Sequence, residues 1–277
     1  LYFRQMKGVM HMKGAVLGDI IGSRFEFDCH DKTKKFELLI DRCTFTDDTV
    51  MSIAVAQSLL SDCQDEATLE RILVKNMQKW GRRYPDGGYG GMFRHWLVSD
   101  NPRPYHSYGN GSAMRVSSVG WLYDSLQETE HIAEITARVT HDHPDGIKGA
   151  QATAVAIWLA RTGHCKEEIR SLMTERYGYD FSRTLNEIRP SHGMDETCPA
   201  TVIEALTAFF EADDYEDAVR NAVSLGGDTD TLAAITGGVA EAYFGMPEHL
   251  EKECMERIPV EMQEVIHQFD SVKRRHV

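Results

Sequence analysis

Two short acidic turns carry the residue types best suited to holding a hard cation. Gly226-Gly227-Asp228-Thr229-Asp230-Thr231 sets carboxylates and hydroxyls close together, and Thr46-Asp47-Asp48-Thr49 repeats the design far upstream. Each turn runs into a strongly apolar segment, residues 50–60 in one case and 232–244 in the other, which reads as buried helix. A helix start accepts one Asp or Thr as a cap, and a cap needs a single oxygen. Paired carboxylates at Asp47 and Asp48, and again at Asp228 and Asp230, exceed that need. Like charges packed together repel unless something positive lies among them. Mg²⁺ or Mn²⁺, with a preference for carboxylate, hydroxyl and water oxygens, is the natural occupant.

Other residues could act beside such a centre. Ser23-Arg24-Phe25-Glu26-Phe27 sets one carboxylate between two aromatics, so Glu26 reads either as a surface loop residue or as a carboxyl with a raised pKa suited to acid–base work. Pro85-Asp86-Gly87-Gly88-Tyr89-Gly90-Gly91 breaks regular structure; it allows a backbone to approach a ligand or serves as a plain connector. Ser107-Tyr108-Gly109-Asn110-Gly111-Ser112-Ala113-Met114-Arg115 leads into a predicted helix over 116–126, where its N–H groups would face an anion. Thr140-His141-Asp142-His143-Pro144 offers a His–Asp pair at a helix end, which reads as a structural hydrogen bond, a metal site or a substrate contact.

These segments must be positioned by helices. Gly14, Gly18 and Gly22 recur every fourth residue in an apolar stretch and predict a smooth helix face for close packing. Leu69, Ile72, Leu73, Met77 and Trp80 mark an amphipathic helix over 67–80, and Ile132, Ile135 and Val139 mark another. Residues 149–160, with Trp158, are apolar nearly all round and predict a central helix. Residues 177–197 are polar and irregular, a candidate rim. Helical spacing resumes at Val202, Leu206 and Phe209 and again at Ile258, Met262, Val265, Ile266 and Phe269. No sustained period-two pattern occurs, so the expected fold is all-α, with a core built from the three most apolar helices.

The 277 residues are 42% hydrophobic with a net charge of −13, ample for a core and unfavourable for a phosphate-backbone binder, so no nucleic-acid partner is expected. No apolar run is long enough to span a membrane. Six cysteines (Cys29, Cys43, Cys63, Cys165, Cys198, Cys254) form no Cys-x-x-Cys pair, which predicts reduced thiols in a cytoplasmic protein. Residues 1–12 read as an N-terminal extension, its first five residues set aside as partly foreign to the natural chain; the initiating methionine is left open among Met6, Met10 and Met12.

In order along residues 14–245, the segments Gly18-Asp19-Ile20-Ile21-Gly22-Ser23 with Glu26, Thr46-Asp47-Asp48-Thr49, Gly109-Asn110-Gly111-Ser112-Ala113-Met114-Arg115, Thr140-His141 and Gly226-Gly227-Asp228-Thr229-Asp230-Thr231 resemble the ADP-ribosylglycohydrolase family, which includes the dinitrogenase reductase-activating glycohydrolase. The resemblance implies an all-α, single compact orthogonal helical bundle over 13–277 with a central cleft holding two divalent cations, Mg²⁺ or Mn²⁺. Carried over by position, Thr46, Asp47, Asp48, Asp228, Asp230 and Thr231 would supply metal oxygens, with Glu26 beside them; Glu26 or Asp48 would move the catalytic proton. Gly88, Tyr89, Gly90, Gly109, Asn110, Gly111 and Ser112 would line an ADP-ribose pocket, with His141 at its edge. The implied reaction is hydrolysis of an ADP-ribosyl group from a protein or small-molecule acceptor. A spacing closer to the nitrogenase-regulating branch leans toward an arginine linkage, with serine-linked and small ADP-ribosyl esters as other options. Two rivals differ in class. A metal-dependent nucleotide phosphohydrolase would use His106, His141, Asp142 and Asp228 as ligands; a non-catalytic ADP-ribose reader would bind and release nothing.

Overall fold

The computed structural model describes residues 11–27, 32–63 and 65–272. Among these, the chain forms fourteen α-helices and no extended strand, and one isolated antiparallel bridge joins Gly109 to Thr197. In chain order they are α1 (Lys13–Gly22), α2 (Asp47–Leu59), α3 (Glu66–Arg83), α4 (Gly91–Val98), α5 (Ser117–Leu122), α6 (Leu126–Arg138), α7 (Pro144–Arg161), α8 (Lys166–Tyr177), α9 (Leu185–Ile188), α10 (Cys198–Phe210), α11 (Tyr215–Val223), α12 (Thr229–Phe244), α13 (Glu248–Glu256) and α14 (Val260–Ser271). None is long and apolar enough to cross a membrane. Cys43, Cys63, Cys165, Cys198 and Cys254 are free thiols, and Cys29 lies outside the described residues.

Helix α12 is the axis. Every residue from 229 to 241 is buried, as expected of a segment apolar on all faces. Helices α1, α7, α10 and α11 surround it, and α2 meets it at its N-terminal end. The tightest of these contacts is with α1, and the glycines explain it. A Cβ on Gly18 would lie 2.0 Å from the Ala233 carbonyl oxygen, one on Gly22 2.3 Å from that of Thr229, and one on Gly14 2.5 Å from that of Gly237. The smooth face predicted from the four-residue spacing therefore presses directly on the α12 backbone, and no side chain fits between them.

The amphipathic α3 begins as its sequence predicts. Asp65 caps it by accepting from the Thr68 N–H at 2.8 Å, and Leu69, Leu73, Met77 and Trp80 face the core. The helix predicted over 116–126 is instead two elements. α5 stops at Leu122, where Arg161 from α7 donates to the carbonyls of Gly120 and Tyr123, and Ser125 then caps α6 through the Glu128 N–H. The rim predicted over 177–197 contains the single turn α9, closed by a capping box between Thr184 and Glu187.

Candidate active site and metal centre

The two acidic turns, 183 residues apart at Asp48 and Thr231, meet at the N-terminal ends of α2 and α12, where the Thr231 hydroxyl donates to Asp48 Oδ1 at 3.3 Å. Neither turn uses its carboxylates as simple caps. At α2 the cap is Thr46, whose hydroxyl accepts from the Asp48 N–H, while the Asp47 N–H is taken by the Gly87 carbonyl at 2.6 Å. At α12, Asp228 occupies the cap position but makes no capping bond; its Oδ2 accepts from the Asn110 amide at 2.6 Å. That carboxylate is aimed by the two residues before it. Gly226 (φ 77°) and Gly227 (φ 70°) are both left-handed, and a Cβ on Gly227 would strike the Gly193 carbonyl oxygen at 2.5 Å.

Glu26, in the turn after α1, completes the group: one oxygen from each of Glu26, Asp228 and Asp230 lies within 4.8 Å of the others. Burial, then repulsion from Asp228 and Asp19, pushes the Glu26 carboxyl up to about 7. Asp47, Asp48 and Asp230 are raised well above the usual aspartate range, first by burial and then by one another and by Asp19, Asp228 and Glu26. Asp48 Oδ2 is buried and has no hydrogen-bond partner. Buried carboxylates repelling one another around an unsatisfied oxygen are the donor set a hard divalent cation requires, so the residues present fit one.

The residue that joins the two halves is one to which the sequence reading gave no role. Asp19, fully buried on α1, accepts from the Thr46 N–H (2.9 Å), the Thr46 hydroxyl (2.7 Å), the Thr49 N–H (3.1 Å) and the Thr49 hydroxyl. Burial pushes its carboxyl up to about 6 despite those four donors. Asp19 fastens α2 to α1, and the glycine face fastens α1 to α12, so the first turns of α2 and α12 are held in register. The signal in the sequence was a carboxylate inside an otherwise apolar helical run.

A cleft of about 690 Å³ opens above these oxygens, within the range of small-molecule sites. Glu26, Asp47, Asp48, Asp228, Asp230 and Thr231 lie on its floor, and Gly88, Gly90, Gly109, Asn110, Gly111 and His141 line its walls. Gly88 (φ 104°) sits where a Cβ would reach Asp47 Oδ1 at 3.1 Å, so the glycine loop runs against the acidic floor. Three predicted residues lie behind the lining. Ser112 is buried and donates to the Gly146 carbonyl at 2.7 Å. Tyr89 is buried with its hydroxyl unpartnered. The Thr46 hydroxyl donates to Asp19 and keeps one lone pair beyond the Asp48 N–H it accepts. Asn110 joins floor and wall, since its amide nitrogen also donates to Thr201 at 3.1 Å.

The histidine–aspartate ligand set is not assembled. Asp142 accepts from the His106 N–H at 2.7 Å, and His141 Nδ1 pairs with the Thr140 hydroxyl at 2.7 Å. Among the described residues the metal-competent group contains no histidine.

A family model described as ADP-ribosylglycohydrolase matches residues 5–275. The Homo sapiens protein named ADP-ribosylhydrolase ARH3 is 27% identical, the alignment covering 88% of this chain and 87% of that protein. A Pseudomonas putida protein named ADP-ribosylarginine hydrolase Tri1 is 27% identical over 86% of this chain and 72% of its own length. A solved structure described as an ADP-ribosylglycohydrolase-related protein complex superposes with a TM-score of 0.69 at 24% identity, covering 92% of this chain and 94% of that chain; it shows the same fold.

Proposed function

The chain belongs to the ADP-ribosylglycohydrolase family, and from that membership we propose that it is a divalent-cation-dependent hydrolase releasing ADP-ribose from an ADP-ribosylated acceptor. The observation that carries this reading is the convergence of the two acidic turns with Glu26 under a cleft large enough for a dinucleotide-sized ligand. Asp47, Asp48, Asp228, Asp230 and Thr231, with the remaining lone pair of Thr46, would hold two ions, Mg²⁺ or Mn²⁺. When bound, such ions supply charge neutralisation, orientation of ribose hydroxyls and acidification of water.

The protein's own groups have distinct tasks. Cleavage at the ribose anomeric carbon passes through an oxocarbenium-like state and needs one proton delivered and one removed. Glu26 reaches the cleft beside Asp228 and Asp230, placing a carboxyl where a proton can be delivered or removed. Asp48, which also lines the cleft, is the other candidate for moving the proton. Asn110 holds Asp228 in one orientation, and Asp19 keeps the Asp47–Asp48 turn facing it. The glycine loops at 88–90 and 109–111 let the substrate approach the backbone closely.

We infer arginine as the acceptor. Glu196 lines the cleft with its side chain exposed, and a carboxylate there favours a guanidinium over a neutral serine or acetyl group. One preparation assayed against arginine-, serine- and acetyl-linked ADP-ribose tests this directly. Release from the arginine linkage at the highest kcat/KM is expected, and no release from any of the three would end the hydrolase reading.

Cation binding has a thermodynamic signature independent of turnover. Asp47, Asp48 and Asp230 are raised above 3.8 and Glu26 from 4.5 to about 7, so the folded chain binds protons more tightly than the unfolded one. The contribution of these four groups to the stability of the metal-free protein is therefore fully present below about pH 4 and is lost as pH rises through the Glu26 value of about 7. Ions replace those protons. Mn²⁺ at about a hundred times its Kd should add about 2.7 kcal/mol at pH 8, a rise of roughly 5–10 °C in melting temperature, and much less at pH 5. Equal shifts at both pH values in calorimetry would remove the carboxylates as the binding site.

A further inference from the structure

We propose that Arg115, acting through the Thr140 hydroxyl, fixes His141 in the tautomer carrying its proton on Nε2, so that the ring presents an N–H donor to an acceptor oxygen of the substrate. The proposal rests on the cleft being the substrate site of the hydrolase described above, and Arg115 is a positioning residue in it.

The chain of hydrogen bonds leaves one arrangement. Arg115 is wholly buried, and its Nη2 donates to the Thr136 carbonyl at 2.9 Å and to Thr140 Oγ1 at 2.8 Å. A guanidinium only donates, so Thr140 Oγ1 accepts from it and has its own proton to give. Two acceptors are in range: the Ala137 carbonyl at 3.4 Å and His141 Nδ1 at 2.7 Å. The Ala137 carbonyl already takes the N–H groups of Thr140 (3.1 Å) and His141 (2.8 Å). Distance and occupancy both send the hydroxyl proton to Nδ1. An Nδ1 that accepts is unprotonated, and a neutral imidazole then carries its hydrogen on Nε2, an assignment made from the network.

A second observation shows where that hydrogen points. A Cβ on Gly111 would lie 3.1 Å from His141 Nε2, and one on Gly109 3.8 Å from it. The glycines of this loop leave the space in front of Nε2 free of side chains, and both line the cleft with His141. The ring stays neutral because burial, and then the charge of Arg115, holds its pKa well below the usual histidine range. Arg115 therefore does two things to His141: it disfavours a second proton and selects the position of the first. A ring with this tautomer selects an acceptor, such as a phosphate or carbonyl oxygen, at that point of the substrate; the opposite tautomer would select a hydroxyl donor.

Long-range ¹H–¹⁵N spectra of the histidine rings, recorded on the full chain without metal or substrate, test the assignment. The His141 signals are identified by their loss in His141→Gln. The neutral Nε2–H pattern is expected in the parent protein, in Thr140→Ser and in Arg115→Lys, which keep a donor at each step. It should give way to a mixed or Nδ1–H pattern in Thr140→Val and Arg115→Met. Arg115→Met risks unfolding, so the nearly isosteric Thr140→Val decides. In turnover, Thr140→Val should raise KM about tenfold with kcat within about twofold, and Thr140→Ser should restore it. An Nδ1–H or cationic His141 in the parent, or an unchanged spectrum in Thr140→Val, would overturn the proposal. The expected spectra in a protein that releases no ADP-ribose would count against the hydrolase reading alone.

Discussion

Replacing Asp230 by alanine is expected to cut kcat/KM for ADP-ribose release by about a thousandfold or more while making the metal-free protein more stable. The loss follows from the position of the side chain. Asp230 shares the centre of the acidic group with Glu26 and Asp228, and charge stabilisation at such a centre supplies several kcal/mol, each 1.36 kcal/mol being tenfold in rate. The gain follows from the same geometry. Asp228, Asp48 and Glu26 all oppose ionisation of Asp230, and burial opposes it further, so its removal relieves a repulsion the fold otherwise carries. The rise in metal-free stability should be about 1 kcal/mol, or roughly 2–4 °C in melting temperature near pH 8, and should vanish when Mn²⁺ is added to the parent protein. Kinetics and melting on one pair of preparations give both readings. Retained full activity would remove the carboxylate from catalysis, and a lower metal-free melting temperature would show that Asp230 supports the fold.

Gly18→Ala should be the most damaging glycine-to-alanine change among the described residues. Alanine ordinarily favours a helix over glycine by about 1 kcal/mol. Here the added carbon would sit 2.0 Å from the Ala233 carbonyl oxygen and 2.6 Å from its carbon, and both are backbone atoms that cannot rotate away. Helices α1 and α12 must separate, at a cost of about 3 kcal/mol or more. Melting should fall by roughly 6–12 °C, and cation affinity should fall with it, because Asp19 rides on α1 while Asp228 and Asp230 begin α12. Gly91→Ala is the control: it starts α4, and its Cβ would meet nothing within 4 Å, so it should melt within a degree or two of the parent. Equal melting of Gly18→Ala and Gly91→Ala would refute the close packing of the two helices.

The parts of this molecule legible in the sequence were those written locally. Acidic turns before apolar runs, glycines at four-residue spacing and the periodicity of Leu69, Leu73, Met77 and Trp80 each describe one helix or its start, and each appears as read. What the sequence did not show depends on partners far along the chain. α5 ends at Leu122 because a guanidinium thirty-nine positions later takes its last carbonyls. Ser112 belongs to the glycine loop by sequence, yet its hydroxyl turns to Gly146 in α7. Asp19 could be seen as an oddity in an apolar run, but its role required knowing that Thr46 and Thr49 would arrive beside it.

Two consecutive left-handed glycines aim Asp228, and the partner cluster at Glu26 and Asp48 is contributed by the opposite part of the chain. During synthesis on the ribosome, the early portion emerges with half of the acidic cluster and nothing to close it. The cluster can close only once α12 has left the exit tunnel and packed against α1, because Asp228 and Asp230 stand at the start of that helix. A newly made molecule thus completes its carboxylate cluster only near the end of its synthesis.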